Sequence, residues 1–233
     1  ATGGRRSATV RCAPTPVLIN RGVPIMYLFN RSRCARPEKI FEATAWAIEI
    51  GAKAGAAMGH EIAVWSSLIS EDVGRITWST RYDTLADWET AGLKAIADDG
   101  YVTGLAGADG LFDGPVRDGL VEIVHGASAG AVPKFEYVTI ISATATGGSF
   151  ADAMAHGVAL ASAASAASGL NTVFTVDVTG NFGGVKWITG YPNIASMEAA
   201  RHAVNADPTV LQLLDAGGRL FVDGSTAVHR RIA

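Results

Sequence analysis

Apolar positions in the first half of the chain alternate between two spacings. A spacing of two places side chains on opposite faces of a strand, whereas a spacing of three or four marks one face of a helix. The helical spacing runs without a break from Ile40 to Met58, and Gly59 suits the end of that helix. This half is predicted to contain strands at 25–33, 62–69, 75–82 and 120–125, with helices at 37–58 and 85–98.

The second half of the chain has the same order of spacings. Ser149 followed by Asp152 resembles a capping box, so Ser149 is predicted to cap a helix. Both halves therefore follow the order strand, helix, strand, strand, helix, strand. The second half is predicted to contain strands at 135–143, 171–178, 185–191 and 221–230, with helices at 149–168 and 194–215.

The two halves also match residue by residue. The third strand of each half carries an aliphatic residue, a Trp, a Thr and a Tyr at alternate positions. Alternate residues of a strand share one face, so both strands present the same side chains in the same order. Repetition in this register indicates a duplicated unit. The matching residues are Ile76 and Val185, Trp78 and Trp187, Thr80 and Thr189, and Tyr82 and Tyr191.

A βαββαβ unit of this kind leaves one face of its sheet uncovered, because both helices pack on the other face. Two fused copies can cover each other by closing their sheets into one barrel. We therefore expect an α+β fold in which two tandem ferredoxin-like repeats form an intrachain dimeric α/β barrel. The predicted organisation is a first repeat at 25–126, a linker at 127–133 and a second repeat at 134–233. Residues 1–24 are predicted to be either an N-terminal arm or a segment foreign to the natural protein.

One segment of each half resembles a known family. Residues Tyr82 to Glu89 run from a strand end through a helix cap into an amphipathic helix, and Tyr191 to Glu198 repeat this pattern. The pattern resembles the antibiotic-biosynthesis monooxygenase and NIPSNAP-like branches of the dimeric α/β-barrel superfamily, over residues 25–233 at the level of architecture. The resemblance implies a fold shared by cofactor-free oxygenases, lactone isomerases, haem-degrading enzymes and haem-dependent chlorite dismutases.

Composition and charge limit the kinds of molecule that the protein is expected to bind. A net charge of −3 gives no electrostatic basis for binding nucleic acid or an anionic membrane. No apolar run approaches the roughly 20 residues that span a bilayer. The two cysteines form neither a disulfide framework nor a metal set. We expect a cytoplasmic protein that binds a small molecule, and the fused unit could also form homo-oligomers.

The duplicated aromatic residues have two interpretations. Trp78 and Tyr82, with Trp187 and Tyr191, could line a pocket for a planar ligand, the tyrosine hydroxyls acting as acids or hydrogen-bond donors. They could instead fill the core between the sheet and its helices, which is the favoured interpretation. A pocket beside Trp78 and Tyr82 would support the first interpretation, and a filled interior there would support the second.

Two arginines distinguish the first half from the second. Arg31 and Arg33 share a strand face, whereas the second half has Ile141 and Ala143 at the equivalent positions. The basic pair could hold a carboxylate or a phenolate by charge-assisted hydrogen bonds. It could equally be a solvated strand end. Asn30 is predicted to lie on the opposite face of the strand.

The resemblance also implies a set of residues around the substrate. Cofactor-free oxygenases of this fold place an Asn, a Trp and a Tyr or Arg there. Asn30, Trp78, Tyr82 and Arg81 supply these residue types. We expect Tyr82 and either Arg31 or Arg33 to stabilise a substrate anion. The predicted catalytic residues are Tyr82, Arg31 and Arg33, and the predicted substrate-binding residues are Asn30, Trp78, Trp187 and Tyr191.

The histidines suggest no metal site. His125 and His229 occupy equivalent positions in the closing strands, but no Asp, Glu or Cys accompanies them at metal-ligand spacing. His156 and His202 occur on helices of the second half. The resemblance implies that haem-binding members take an axial histidine from this half, so either could ligate haem. We expect the protein to bind no cofactor, and haem is the alternative.

The stretch Gly104–Gly114 is rich in glycine but lacks the Lys-Ser/Thr ending of a phosphate-binding loop. It is predicted to be a long loop and the main difference between the halves. Loops often carry function on a rigid scaffold. We expect this one to form a lid over the first repeat's pocket.

The sequence therefore favours a cofactor-independent oxygenase or isomerase that acts on a small, planar, mostly apolar substrate in the first half. The first alternative is a non-enzymatic protein that binds a small ligand or serves as a scaffold. A haem-binding barrel is the second alternative.

Overall fold

The computed structural model describes residues 26–127 and 134–233. The predicted N-terminal arm and residues 128–133 of the predicted linker lie outside the described residues. The elements of the first repeat are β1 (Met26–Ala35), α1 (Ile40–Met58), β2 (Ala63–Ile69), β3 (Arg75–Tyr82), α2 (Leu85–Ile96), α3 (Asp99–Leu105) and β4 (Phe112–His125). Those of the second repeat are β5 (Tyr137–Ala145), α4 (Phe150–Ser168), β6 (Thr172–Asp177), β7 (Gly184–Tyr191), α5 (Ile194–Ala206), α6 (Pro208–Gly217) and β8 (Phe221–Arg231).

The strands close into a single antiparallel barrel in the order β1-β3-β2-β8-β5-β7-β6-β4. Each repeat contributes four adjacent strands, and two pairings join the repeats. Trp65 of β2 lies opposite Arg231 of β8, and Val121 of β4 lies opposite Asp177 of β6. This closure confirms the predicted α+β fold, in which two ferredoxin-like units form an intrachain dimeric α/β barrel.

The barrel has an outer face under the helices and an inner face around a lumen. Residues directly opposite each other on neighbouring strands share a face. Trp78 lies opposite Arg31 and is buried against α1, so both residues are on the outer face. Asn30, one residue before Arg31, therefore faces the lumen. Each repeat has its own apolar core between the outer face and the helices, with Trp78 in one and Trp187 in the other.

The caps of the second helix in each repeat extend the duplication. The Thr84 side chain accepts a hydrogen bond from the Asp87 amide, and the Asn193 side chain accepts one from the Ser196 amide. Such bonds satisfy N–H groups that have no partner within the helix. Ser149 occupies the predicted N-cap position of α4, but its side chain makes no capping hydrogen bond, so the capping box is absent.

The single helix predicted at 194–215 is two helices, α5 and α6. Asp207 has an extended backbone, and its carboxylate accepts hydrogen bonds from the amides of Thr209 and Val210. Pro208 has no N–H to continue α5, but it suits the first turn of α6. Asp98 starts α3 in the same way by accepting from the Tyr101 amide. Among the described helices, none is long and apolar enough to cross a membrane.

The prediction of a long loop at Gly104–Gly114 is also wrong. Gly104 belongs to α3, a short 3-10 turn follows, and β4 begins at Phe112 rather than at the predicted residue 120. The Trp46 indole of α1 donates a hydrogen bond to the Gly104 carbonyl at 3.0 Å. A Cβ on Gly107 would lie only 2.8 Å from that indole. The stretch is therefore packed against α1 as part of the fold, and glycine is required where the backbone meets Trp46.

Candidate functional site

Most of the predicted first-half site residues lie on the outer face of β1 and β3. Trp78 is opposite Arg31, and Tyr82 is opposite Tyr27, in the antiparallel register. Asn30 is separated from them because it points into the lumen. There a Cβ on Gly119 would come within 2.9 Å of the Asn30 Oδ1 atom. The predicted grouping of Asn30 with Trp78 is therefore wrong, since the sheet lies between them.

Trp78 and Trp187 occupy equivalent positions and make equivalent contacts. The indole N–H of Trp78 donates to the Ala47 carbonyl of α1 at 2.8 Å. That of Trp187 donates to the Gly157 carbonyl of α4 at 3.0 Å. Both side chains are buried in the cores. Because their polar atoms are satisfied by helix backbone, each Trp fixes a helix on its sheet rather than offering a free donor to a ligand.

Tyr82 lies at the other end of the outer face from Arg31. Its hydroxyl donates to Met58 Sδ at 3.5 Å, and its ring lies 4.8 Å from the His60 ring. Burial raises the pKa of Tyr82, so the phenol keeps its proton and can act as a donor. Arg31 is opposite Trp78, four residues back along β3, which is a distance of roughly 13 Å along the strand. The Tyr191 side chain is buried in the second repeat.

Arg31 is held in place by a carboxylate. Its Nε and Nη2 atoms donate to the two Asp118 oxygens, both at 2.7 Å. This hydrogen bonding to Asp118 raises the pKa of Arg31, with the nearby Tyr101 phenol contributing. The guanidinium carbon lies 5.9 Å from the centre of the Phe29 ring. A two-point contact of this kind fixes the orientation of the planar guanidinium as well as its charge.

Arg33 has a different environment. Its guanidinium stacks over the Phe112 ring at 4.4 Å. Its Nε atom is buried without a hydrogen-bond partner, and burial lowers the pKa of Arg33. Arg33 forms no ion pair with a carboxylate in the described part of the chain, whereas Arg31 does. The pairing of β1 with β4 shifts register between Ser32 and Cys34, and such irregularities redirect side chains.

The equivalent place in the second repeat is apolar. Ile141 replaces Arg31 and lies opposite Thr226 instead of Asp118. Val210, three residues after the Asp207 cap, replaces Tyr101. The cationic and aromatic cluster, defined as Arg31, Arg33, Tyr101, Asp118, Phe29 and Phe112, is therefore a property of the first repeat.

A groove between α1 and α3 adjoins this cluster. It has a volume of about 590 Å³ and is lined by Trp46, Glu49, Lys53 and Asp99, together with glycines of α3. The Trp46 ring lies 5.4 Å from that of Phe112 and 5.9 Å from that of Trp78. Trp46 therefore separates the groove from the interior beside Trp78.

The inner face of the barrel carries groups of polar residues that could not be recognised from the sequence. The Ser67 hydroxyl lies 3.2 Å from Nδ1 of His229, although the two residues are 162 positions apart. Lys186 and Asp177 form an ion pair on the same inner face. His125, the sequence equivalent of His229, instead lies on the outer face beside Ser162. The strands shift register next to both histidines, which explains why equivalent positions face opposite ways.

His156 does not fit the role of a haem ligand. Nε2 of His156 is buried without a partner, and a Cβ on Gly217 of α6 would lie 3.0 Å from it. An iron ion therefore has no room at that nitrogen. His202 is exposed on α5. Within the described ranges, no group of three His, Cys, Asp or Glu side chains could hold a metal ion.

Comparison with solved structures shows the fold. A candidate monooxygenase from Fusobacterium nucleatum superposes with a TM-score of 0.66 at 9% identity, covering 90% of this chain and 93% of that one. An anthrone oxidase-like protein gives 0.63 at 13% identity, covering 91% and 93%. A candidate chlorite dismutase gives 0.56 at 8% identity, covering 91% and 96%. No protein-family model matches the sequence, and no curated protein is significantly similar to it.

Proposed function

We propose that this barrel is a cofactor-independent oxygenase or isomerase, and that its substrate is a small planar molecule that ionises to a phenolate or enolate. The observation that carries the proposal is the Arg33 guanidinium, which stacks on Phe112 beside the carboxylate-bound Arg31 and forms no ion pair in the described part of the chain. A half-buried cation that pairs with no described carboxylate favours an anion near it. The apolar equivalent in the second repeat supports a single site per chain.

The surroundings of the arginines suit a planar ligand. Phe29 provides an aromatic surface next to Arg31, and Trp88 of α2 lies with its ring centre 6.2 Å from that of Phe29. Trp88 is 40% exposed, so this surface can be reached from solvent. Tyr82 is 3% exposed and its hydroxyl donates to Met58, so the proposed site rests on the two arginines and not on Tyr82.

The chemistry follows from stabilising the substrate anion. Loss of a carbon-bound proton to water leaves an electron-rich enolate or phenolate, and Arg33 and Arg31 offset its charge. In the oxygenase reaction this anion reduces O₂. One oxygen atom enters the substrate, converting a methylene to a carbonyl, and the other leaves as water. In the isomerase reaction the proton returns to a different carbon. The similarity to an anthrone oxidase-like structure suggests an anthrone as the first substrate to test.

Oxygen uptake measured with an anthrone tests this proposal. The wild-type protein is expected to consume one O₂ per quinone formed. Arg33→Ala is expected to lower kcat/KM by about tenfold to a hundredfold, because one charge-assisted contact is lost. The matched control is Arg36→Ala, since Arg36 is exposed and paired with Asp113. Uptake that does not differ between the Arg33 and Arg36 variants would contradict the assignment.

A non-enzymatic binding or scaffold role is the second candidate. The filled cores around Trp78 and Trp187 favour it, because both indoles are satisfied by helix carbonyls. This candidate predicts that the anthrone binds at the cationic and aromatic cluster without oxygen uptake or isomerisation.

A further inference from the structure

A row of polar residues crosses the lumen on β3, β2 and β8. Ser67 lies opposite His229. Extending the β2–β3 register by one residue beyond the Ser66–Ile76 pair places Arg75 on the other side of Ser67. Side chains directly opposite on neighbouring strands have Cβ atoms about 4.5–5.5 Å apart. Ser67 therefore contacts the His229 imidazole on one side and has the strand that carries Arg75 on the other.

The contact between Ser67 and His229 has the geometry of a nucleophile and its base. The Oγ–Nδ1 distance of 3.2 Å is within hydrogen-bond reach. His229 is buried, and burial, with the charge of Arg75 contributing, lowers the pKa of His229. The imidazole is therefore neutral near pH 7 and able to accept the serine proton.

Arg75 is fixed beside this pair. It donates to Ser32 Oγ at 2.9 Å and forms an ion pair with Asp72 at 2.7 Å. A guanidinium has five N–H donors, so one fixed in this way can also stabilise a developing negative charge. Ser67 lies close to the end of β2, where Leu68 and Ile69 are 49% and 63% exposed. The Ser67 side chain is itself half-buried, whereas the His229 side chain is buried.

We propose that Ser67 and His229 form a second catalytic site, in the lumen, which hydrolyses small esters. Ser67 Oγ attacks the carbonyl carbon while its proton passes to His229 Nδ1, and the developing oxyanion faces Arg75. The bond to the alcohol oxygen then breaks, and His229 returns the proton to the leaving alcohol. Water attacks the acyl-serine in the same way, which releases the carboxylic acid and restores Ser67.

A second serine–histidine contact in the chain provides a matched control. Ser162 Oγ lies 3.1 Å from Nε2 of His125, on the exposed outer side of the barrel. The Ser162 hydroxyl donates to the Val158 carbonyl at 2.9 Å, so its proton is not directed at the histidine. The same residue types thus occur once with the geometry for proton transfer and once without it.

Hydrolysis of p-nitrophenyl acetate and labelling with a small fluorophosphonate test the proposal. The wild-type protein is expected to release a burst of about one p-nitrophenol per chain, and the fluorophosphonate adduct is expected on Ser67 by peptide mass mapping. Ser67→Ala and His229→Gln are each expected to slow the hydrolysis by about a hundredfold or more. Ser162→Ala and His125→Gln are expected to retain the wild-type rate.

An adduct on any residue other than Ser67, or no adduct, would overturn the proposal. So would a Ser67→Ala variant that hydrolyses the ester at the wild-type rate. The labelling uses the unmodified protein, so it decides the question even where a substitution impairs folding. Arg33→Ala should leave ester hydrolysis unchanged, which separates this site from the proposed oxygenase site.

Discussion

Replacing Trp78 with alanine is expected to lower the free energy of unfolding by about 3–5 kcal/mol, the range found for removing a large buried aromatic side chain. Trp78 is 9% exposed and packs against Trp46 in the core of the first repeat. The substitution removes this packing and also the indole hydrogen bond to the Ala47 carbonyl. Urea unfolding followed by circular dichroism measures the change.

Trp88→Ala is the control for this prediction, because Trp88 is 40% exposed on α2. Its loss is expected to cost about 1 kcal/mol or less, as for most exposed positions. If Trp78→Ala were as stable as Trp88→Ala, Trp78 would not fix α1 to the sheet. The interpretation of Trp78 as a residue that lines an open pocket would then be favoured.

Gly157→Ala is expected to cost about 3 kcal/mol, at the upper end of the range for overpacking a core. A Cβ at Gly157 would lie 2.2–2.7 Å from three atoms of the Phe174 ring. Phe174 is fully buried and packs 5.2 Å from Trp187, so it has little room to retreat. Either α4 must move away from the sheet or the core of the second repeat must rearrange.

Gly92→Ala provides the matched control in a helix of the first repeat. A Cβ there would meet nothing within 4 Å. Alanine is favoured over glycine within a helix, so this variant is expected to gain about 0.5–1 kcal/mol. Thermal and urea unfolding of the two variants should therefore give changes of opposite sign. A Gly157→Ala protein as stable as the wild type would show that α4 does not approach the sheet this closely.

The barrel could be predicted because duplication is visible in the sequence. The matching strands that contain Trp78 and Trp187 aligned the two halves of the sequence residue by residue. Each half alone would leave one face of its sheet uncovered, so the other half was expected to cover it. The break at Asp207 was missed because the helical apolar spacing continues across it, and the short helix that begins after Asp98 was not predicted. An aspartate that caps the next helix, followed in one case by Pro208, was the available signal.

The candidate site could be predicted only in part. Strand alternation placed Arg31 and Arg33 on one face, and the structure has them there. It could not show that Arg31 is neutralised by Asp118 while Arg33 pairs with no described carboxylate, because Arg31 and Asp118 are 87 positions apart and meet only through the register of β1 with β4. Ser67 and His229 meet only because β2 of one repeat pairs with β8 of the other. No local pattern contains that information.

The most direct test of the proposed site is the equilibrium binding of an anthrone to a first repeat that carries the second repeat's residues. In the double variant Arg31→Ile, Arg33→Ala, the Kd measured by tryptophan fluorescence is expected to rise at least about tenfold, equivalent to about 1.4 kcal/mol. Ile141→Ala in the second repeat is expected to leave the Kd unchanged. An unchanged Kd in the double variant would contradict a ligand site at the cationic and aromatic cluster.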